Sequence, residues 1–326
     1  MSALAERFSV DRASFPGPVL VTGAGGCIGS WVLTLLARAG VPACAFDLSE
    51  DKRRPRFLMS EDELKKIQWR LGDISDGNTV MRVLEEVRPC AVIHLAALQV
   101  PFCKADPIAG AKVNVVGTVN VFEAARKLGI KRLAYASSIA AYGAMDDGHG
   151  AMHTLYGAYK HCDEQIALVY SEDWSVASVG IRPGVVYGVG RDQGLTSKTT
   201  VAILAAAAGK PYEVPFSGGV SWLYTGEVAS AFIRAVARER TGAPVFNMNG
   251  VHAPVEEGLR ILRSIAPSAK LTSSGEALAF PMYLPDQPLR DFLGDYGTAT
   301  LAEGIRETYD SFRALLQASR IGFTGA

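Results

Sequence analysis

The apolar positions in the first half of the chain fall into short runs separated by amphipathic stretches. Residues 19–21, 43–46, 68–70, 91–95, 132–136 and 176–181 have strand length and strand-like composition. Between them, 31–39, 79–87, 112–128 and 156–170 place apolar side chains at helical spacing. This alternation predicts an α/β fold with a doubly wound parallel sheet whose ligands sit at the carboxyl ends of the strands. Beyond Tyr187 the periodicity loosens, and prolines such as Pro211, Pro215, Pro254, Pro281 and Pro288 interrupt it. A helix over 227–238 and a strand over 244–248 still read as core elements and are expected to rejoin the sheet. The expected organisation is an N-terminal extension over 1–17 and a main unit over 18–188, with 227–250 returning to it. A smaller lobe, 189–226 and 251–326, covers the substrate.

Composition narrows the function classes. Of 326 residues, 48% are hydrophobic and 20% charged, which suits a soluble globular chain. The 33 basic and 33 acidic residues cancel, so no global field draws nucleic acid or an anionic membrane. No apolar run approaches the ~20 residues that span a bilayer. Glu6, Arg7, Asp11 and Arg12 near the N-terminus leave no signal-peptide core. Cysteines 27, 44, 90, 103 and 162 lack C-x-x-C spacing and read as reduced thiols of a cytoplasmic protein. No His/Cys/Asp group has metal-ligand spacing, so no metal is expected. Gly-x-Ser-x-Gly is absent, which removes the usual pointer to serine-hydrolase chemistry.

The candidate chemistry begins at Thr22-Gly23-Ala24-Gly25-Gly26-Cys27-Ile28-Gly29, a strand-to-helix turn. Glycines there permit a tight turn and let a pyrophosphate rest on the helix N-terminus. The G-x-x-G-x-x-G spacing also fits an ordinary βα turn. Asp47 ends the second strand 18 residues beyond Gly29. A carboxylate there bonds ribose hydroxyls and repels a 2′-phosphate, favouring NAD over NADP. Lys52, Arg53 and Arg54 follow; they either reach such a phosphate or form a solvated charge run. Tyr156 and Lys160 lie four apart, on one face of a helix. An ammonium beside a phenol favours the phenolate, as a general acid/base near neutrality requires. A solvated surface pair has the same spacing. His149 and His153 border the substrate or lie idle in a Gly-rich loop, while His94 reads as a core residue and His161 as packed or solvated.

Taken in order, these motifs resemble the extended short-chain dehydrogenase/reductase family, the NAD-dependent epimerase/dehydratase group, from about Pro18 to about Leu316. The resemblance implies a Rossmann-type sheet with a smaller C-terminal substrate-binding lobe. For cofactor contacts it implies Gly23, Gly26, Cys27, Ile28, Gly29 and Asp47, with Asp73 and Ile74 at the adenine. Leu95, Ala96, Ala97, Asn114, Pro183 and Val185 complete the cofactor set with Tyr156 and Lys160. Counting back from Tyr142-Gly143, the family's catalytic serine falls on Ser138 ahead of Ser137. Ser138, Tyr156 and Lys160 are then the catalytic set, and Ser138, His153, Gly184 and Arg191 the substrate contacts.

Departures from the family shape the substrate reading. Where sugar-nucleotide enzymes carry an Arg-Asp-aromatic stretch, the arginine and aspartate positions hold Val220 and Ser221. The C-terminal Arg-Pro-Gly-Asp segment is absent, Leu284-Pro285-Asp286-Gln287 being the nearest approach. Diphosphates bind best to arginine forks, whereas Arg191 and Lys198 suit one carboxylate or phosphate. The expectation is NAD-dependent oxidoreduction of a secondary alcohol, ketone or hemiacetal in a small polar substrate such as a sugar or sugar acid. The alternatives are a sugar-nucleotide epimerase/dehydratase and a redox-inactive NAD-sensing protein. Family members often pair two helices across a dyad. Here these match 112–128 and 156–170, so a homodimer is expected through Val113, Val116, Phe122 and Ala125 with Ile166, Ala167, Val169 and Tyr170.

Overall fold

The computed structural model describes residues 6–145, 153–278 and 284–323. In chain order its strands begin with β1 (Val19–Thr22), β2 (Ala43–Asp47), β3 (Gln68–Leu71), β4 (Ala91–His94), β5 (Leu133–Ala136) and β6 (Val179–Pro183). They continue with β7 (Val185–Tyr187), β8 (Tyr212–Val214), β9 (Gly219–Tyr224), β10 (Val245–Met248), β11 (Val251–Pro254) and β12 (Leu271–Ser273). Seven of them make one parallel sheet in the order β10-β6-β5-β4-β1-β2-β3. The expected strand over 244–248 does return to it, beside β6.

Period-2 alternation explains why the sheet is buried on both faces. Val19 and Val21 of β1, with Ala43, Ala45 and Ile93, enter one core; Leu20, Cys44, Phe46, Val92 and Tyr135 enter the other. Helices Cys27–Arg38 and Thr225–Val236 supply Val32, Leu36, Val228 and Phe232 to the first core. Helices Gly77–Val87, Gly117–Leu128 and Leu155–Trp174 supply Val83, Phe122 and Ala167 to the second. The result is the doubly wound α/β architecture. Its strand order reverses at β1, between β2 and β4, where such sheets open a ligand crevice.

Several boundaries differ from the sequence pattern. The first long helix begins at Cys27 rather than 31, because the glycine loop has no apolar period to betray it. The stretch 112–128 starts as a π-helical turn, Lys112–Val116, before Gly117–Leu128. Past β6, a smaller sheet of β7, β9 and β11 forms, with β7 parallel and β11 antiparallel to β9. From residue 6 onward, the N-terminal extension is built into the body of the molecule. Phe8 and Phe15 are each 1% exposed, Phe8 stacks on Tyr224 at 5.9 Å, and Arg7 pairs with Glu303. No helix among the described residues is long and apolar enough to cross a membrane.

Glu227, 3% exposed at the start of its helix, accepts the Ala299 N–H at 2.9 Å. Burial pushes its carboxyl from 4.5 up to about 7. The folded state therefore binds the proton more tightly than the unfolded chain does. The associated stability is fully present below 4.5 and is lost as pH rises through about 7. Glu227→Gln keeps the acceptor and removes the charge, so it is expected to stabilise the protein by up to about 3 kcal/mol above neutrality. Urea denaturation on both sides of this window checks it; an unchanged pH slope in the variant would refute the assignment.

Candidate active site

One cleft opens at the carboxyl ends of the central strands. Gly23, just after β1, has φ +64°, and a Cβ there would sit 2.7 Å from the Ala96 nitrogen. Only glycine lets the turn after β1 pack against the turn after β4. The helix that follows has Gly26 at its N-cap and no side-chain cap, so its first N–H groups stay available to an anion at the glycine loop. Asp47 closes this end, its carboxylate accepting the Gly25 N–H and the Leu48 N–H, both at 2.8 Å. Burial pushes this carboxyl up while those N–H donors pull it down, and the net shift is upward. An uncapped helix start facing a glycine turn, with a carboxylate beyond, fits a dinucleotide.

The basic run beside Asp47 is already spoken for. Lys52 pairs with Glu50 at 2.5 Å, and Arg53 and Arg54 both reach Asp192, each at 2.7 Å. Arg54 also donates to the Gly25 carbonyl at 3.2 Å. Its pair with Asp192 ties the short helix Arg53–Leu58 to the loop after β7 beside the glycine turn. Glu50 and Asp192 thus engage all three cations beside Asp47. Asp47→Ala is expected to narrow the preference for NAD over NADP, read by titrating both dinucleotides. Equal affinity in the wild type would refute this account.

At the other end Ser138, Tyr156 and Lys160 line the cleft together. Helix Leu155–Trp174 starts at Thr154, whose side chain accepts the Gly157 N–H at 2.9 Å. A Cβ on Gly157 would lie 2.3 Å from the Ala140 carbonyl. The glycine between Tyr156 and Lys160 therefore lets the helix dock on the turn carrying Ser138. Ser138 Oγ accepts the Ala140 N–H at 3.2 Å, which leaves its own proton to donate. Ser137 lines the cleft too, but it is 2% exposed and its hydroxyl is spent on Glu164, which leaves Ser138 as the serine with a proton to offer. Burial pulls the Lys160 ammonium down, but Asp163 and Tyr156 outweigh it, and the net shift is upward.

Beneath these residues, Glu164 takes two donors from Arg182, Nε at 2.7 Å and Nη2 at 2.5 Å. Arg182 also reaches the Tyr142 hydroxyl at 3.2 Å, with its guanidinium over that ring. Of the remaining expected residues, Cys27, Ile28, Gly29, Asp73, Ile74, Leu95, Ala96, Ala97, Pro183, Gly184, Val185 and Arg191 line the cleft. Asn114 and His153 do not. Asn114 is fully buried and spent on the Leu98 backbone, accepting its N–H at 2.7 Å and donating to its carbonyl at 3.0 Å. It braces the cleft wall rather than touching the space inside. His153 is exposed, and His149 lies outside the described residues. Lys198 starts a helix away from the lining. Gln99 and Thr196, which no sequence motif flagged, line the cleft and hold Arg191.

The model of the NAD dependent epimerase/dehydratase family matches residues 19–249. The chain belongs to this family. It is an NAD-dependent enzyme of the extended short-chain dehydrogenase/reductase type. A UDP-glucose 4-epimerase of Mycolicibacterium smegmatis is 29% identical over 313 residues, 90% of this chain and 98% of the relative. The structure of Thermus thermophilus UDP-glucose 4-epimerase in complex with NAD is 26% identical and superposes with a TM-score of 0.74. That match covers 91% of this chain and 99% of the other. L-threonine dehydrogenase from Clostridium difficile shares the fold, at 18% identity and a TM-score of 0.79, over 94% of this chain and 99% of that one.

Proposed function

We propose that this enzyme oxidises or reduces a secondary alcohol or ketone in a small polar substrate bearing one anionic group, such as a sugar acid. The observation that carries the reading is Arg191. It lines the cleft that holds Ser138, Tyr156 and Lys160 and has no carboxylate partner among the described residues. Among the described residues its guanidinium donates to neutral acceptors, Gln99 Oε1 at 3.3 Å and Thr196 Oγ1 at 3.1 Å. Its Nε is buried without a hydrogen bond among the described residues. One such group matches one carboxylate or phosphate. Val220 and Ser221, each 3% exposed within β9, offer no further cation for a diphosphate.

The chemistry then divides simply. NAD held at the glycine loop and Asp47 would supply the acceptor for a hydride from the carbinol carbon. Tyr156 is placed to take the hydroxyl proton, Lys160 supplies the neighbouring positive charge and a ribose contact, and Ser138 donates to the substrate oxygen. A second reading, sugar-nucleotide epimerisation, draws on the end-to-end similarity to a UDP-glucose 4-epimerase. One screen separates them: polyols, aldoses, sugar acids and nucleotide sugars are offered with NAD while NADH is followed. Steady NADH production with a sugar acid supports the first reading. Isomerisation of a nucleotide sugar without net NADH supports the second, and no turnover at all supports an NAD-sensing role.

A cytoplasmic homodimer belongs to the same proposal, with a corrected face. Phe122, Ala125, Ala167 and Tyr170 are buried within the chain, Phe122 packing on Tyr170 at 5.5 Å. They hold the two helices together and have no surface left for a partner. Val116, Leu128, Leu168 and Val169 remain 38–45% exposed on these elements and are the apolar side chains there that a dyad would bury. Light scattering at micromolar protein is expected to give twice the 34.7 kDa of one chain; the mass of a single chain would sink the dimer.

A further inference from the structure

One turn beyond Lys160 on the same helix stands Asp163, with none of its side chain exposed. Lys160 is nearly as hidden, at 3%, and its Nζ lies 3.1 Å from Asp163 Oδ2. A carboxylate and an ammonium taken out of water are costly unless each answers the other. The Thr118 hydroxyl also bears on Asp163, but it donates its proton to the Asn114 carbonyl at 2.6 Å. Asp163 Oδ1 is left buried without a hydrogen bond among the described residues. Asp163 is therefore committed to the lysine of the cleft, and nothing in the alcohol chemistry above uses it.

We propose that Asp163 is a positioning residue: its carboxylate anchors the Lys160 ammonium under the cleft and sets the pH at which the Tyr156–Lys160 cluster releases its first proton. This rests on the reading of Tyr156 and Lys160 given above. The sign follows from charge. An ionised Asp163 opposes loss of a further proton, so a neutral side chain there lets the next proton leave at lower pH, whichever coupled group yields it. Burial pushes the Asp163 carboxyl up to about 6, while the Lys160 ammonium 3.1 Å away favours its ionised form.

The surrounding groups do not cancel this effect. Cys103, on the helix Val100–Ala105, and His94, on β4, face Lys160. Burial keeps the thiol protonated and the imidazole neutral, His94 falling to about 3. Cys162 and Glu164 on its own helix and Tyr135 on β5 face Asp163. Burial raises Cys162 and Tyr135, and Arg182 compensates Glu164. Asp163 is the anion whose removal changes the charge of the cluster.

The test needs no substrate. Tyrosinate absorbance of the NAD-loaded protein is followed against pH, and subtraction of the Tyr156→Phe curve isolates the Tyr156 step. In Asp163→Asn that step is expected to move to lower pH by about one unit, with cooperative melting retained. An unmoved or higher step in a folded variant overturns the proposal, because a residue that merely packs would leave the titration in place. If the wild type shows no Tyr156 step below its other tyrosines, the Tyr156–Lys160 reading fails first and this inference falls with it. Asp163→Leu, similar in shape and needing no hydrogen bond, is the second variant should Asn not fold, with the same expected direction.

Discussion

Tyr156→Phe is expected to leave NAD affinity nearly unchanged and to lower turnover by roughly 100-fold or more, the usual scale for a lost general acid/base. The phenyl ring keeps the packing of Tyr156 at the start of its helix and deletes only the hydroxyl. Among the described residues no substitute stands ready. The side chains lining the cleft beside Ser138 include Lys160, which its carboxylate partner holds charged. Of the two histidine candidates near the substrate, His153 is exposed and outside the lining, and His149 lies outside the described residues. Lys160→Met is expected to damage both turnover and cofactor affinity. It also strands Asp163 as a buried, uncompensated carboxylate, so a lowered melting temperature should accompany the loss. Equilibrium NAD titration and single-turnover rates with the substrate found by screening check both variants. Near-normal chemistry in the Phe variant would mean that another group carries the proton.

Some of this architecture was legible in the sequence because it follows short-range periods. Val19, Leu20 and Val21 alternate between two cores, and a fully apolar strand buried on both faces has no other simple home. The helix of Tyr156 and Lys160 extends the same logic: Asp163 and Glu164, three and four positions on, share the inward face. That spacing was the available signal for both buried partners. Other features carry no period. β7 and β11 are three and four residues long, and β11 ends at a proline, so the small sheet leaves no alternation to read. Phe8 and Phe15 are isolated apolar residues in a polar stretch, and only the space around Tyr224 reveals that Phe8 is core. Gln99 reaches Arg191 from a loop and Thr196 from the 3-10 turn Leu195–Ser197, an approach set by tertiary folding. The helix faces were misjudged for a related reason. Gly117–Leu128 is apolar on more than one side, and composition does not say which side meets the neighbouring helix.

The largest stability effect is expected at Glu164. Its carboxylate is 4% exposed, receives Arg182 through Nε and Nη2, and accepts the Ser137 hydroxyl. Arg182 is itself only 14% exposed. Glu164→Gln keeps the shape and removes the carboxylate charge that the largely buried guanidinium of Arg182 meets at Nε and Nη2. Breaking such a pair from one side costs roughly 3–5 kcal/mol, because the desolvation of the remaining ion is no longer offset. The double variant Glu164→Gln/Arg182→Met removes both charges and is expected to recover much of that loss, since two neutral groups carry no stranded charge. Urea denaturation of the wild type, the single variants and the double gives the coupling directly. A Glu164→Gln cost below about 1 kcal/mol, the range of exposed pairs, would mean that water reaches Arg182 and that the pair is not the keystone under the cleft. A large cost with little recovery in the double would place the energy in the Ser137 contact instead. Ser137 sits next to Ser138, so the same substitution is also expected to loosen the cleft serine.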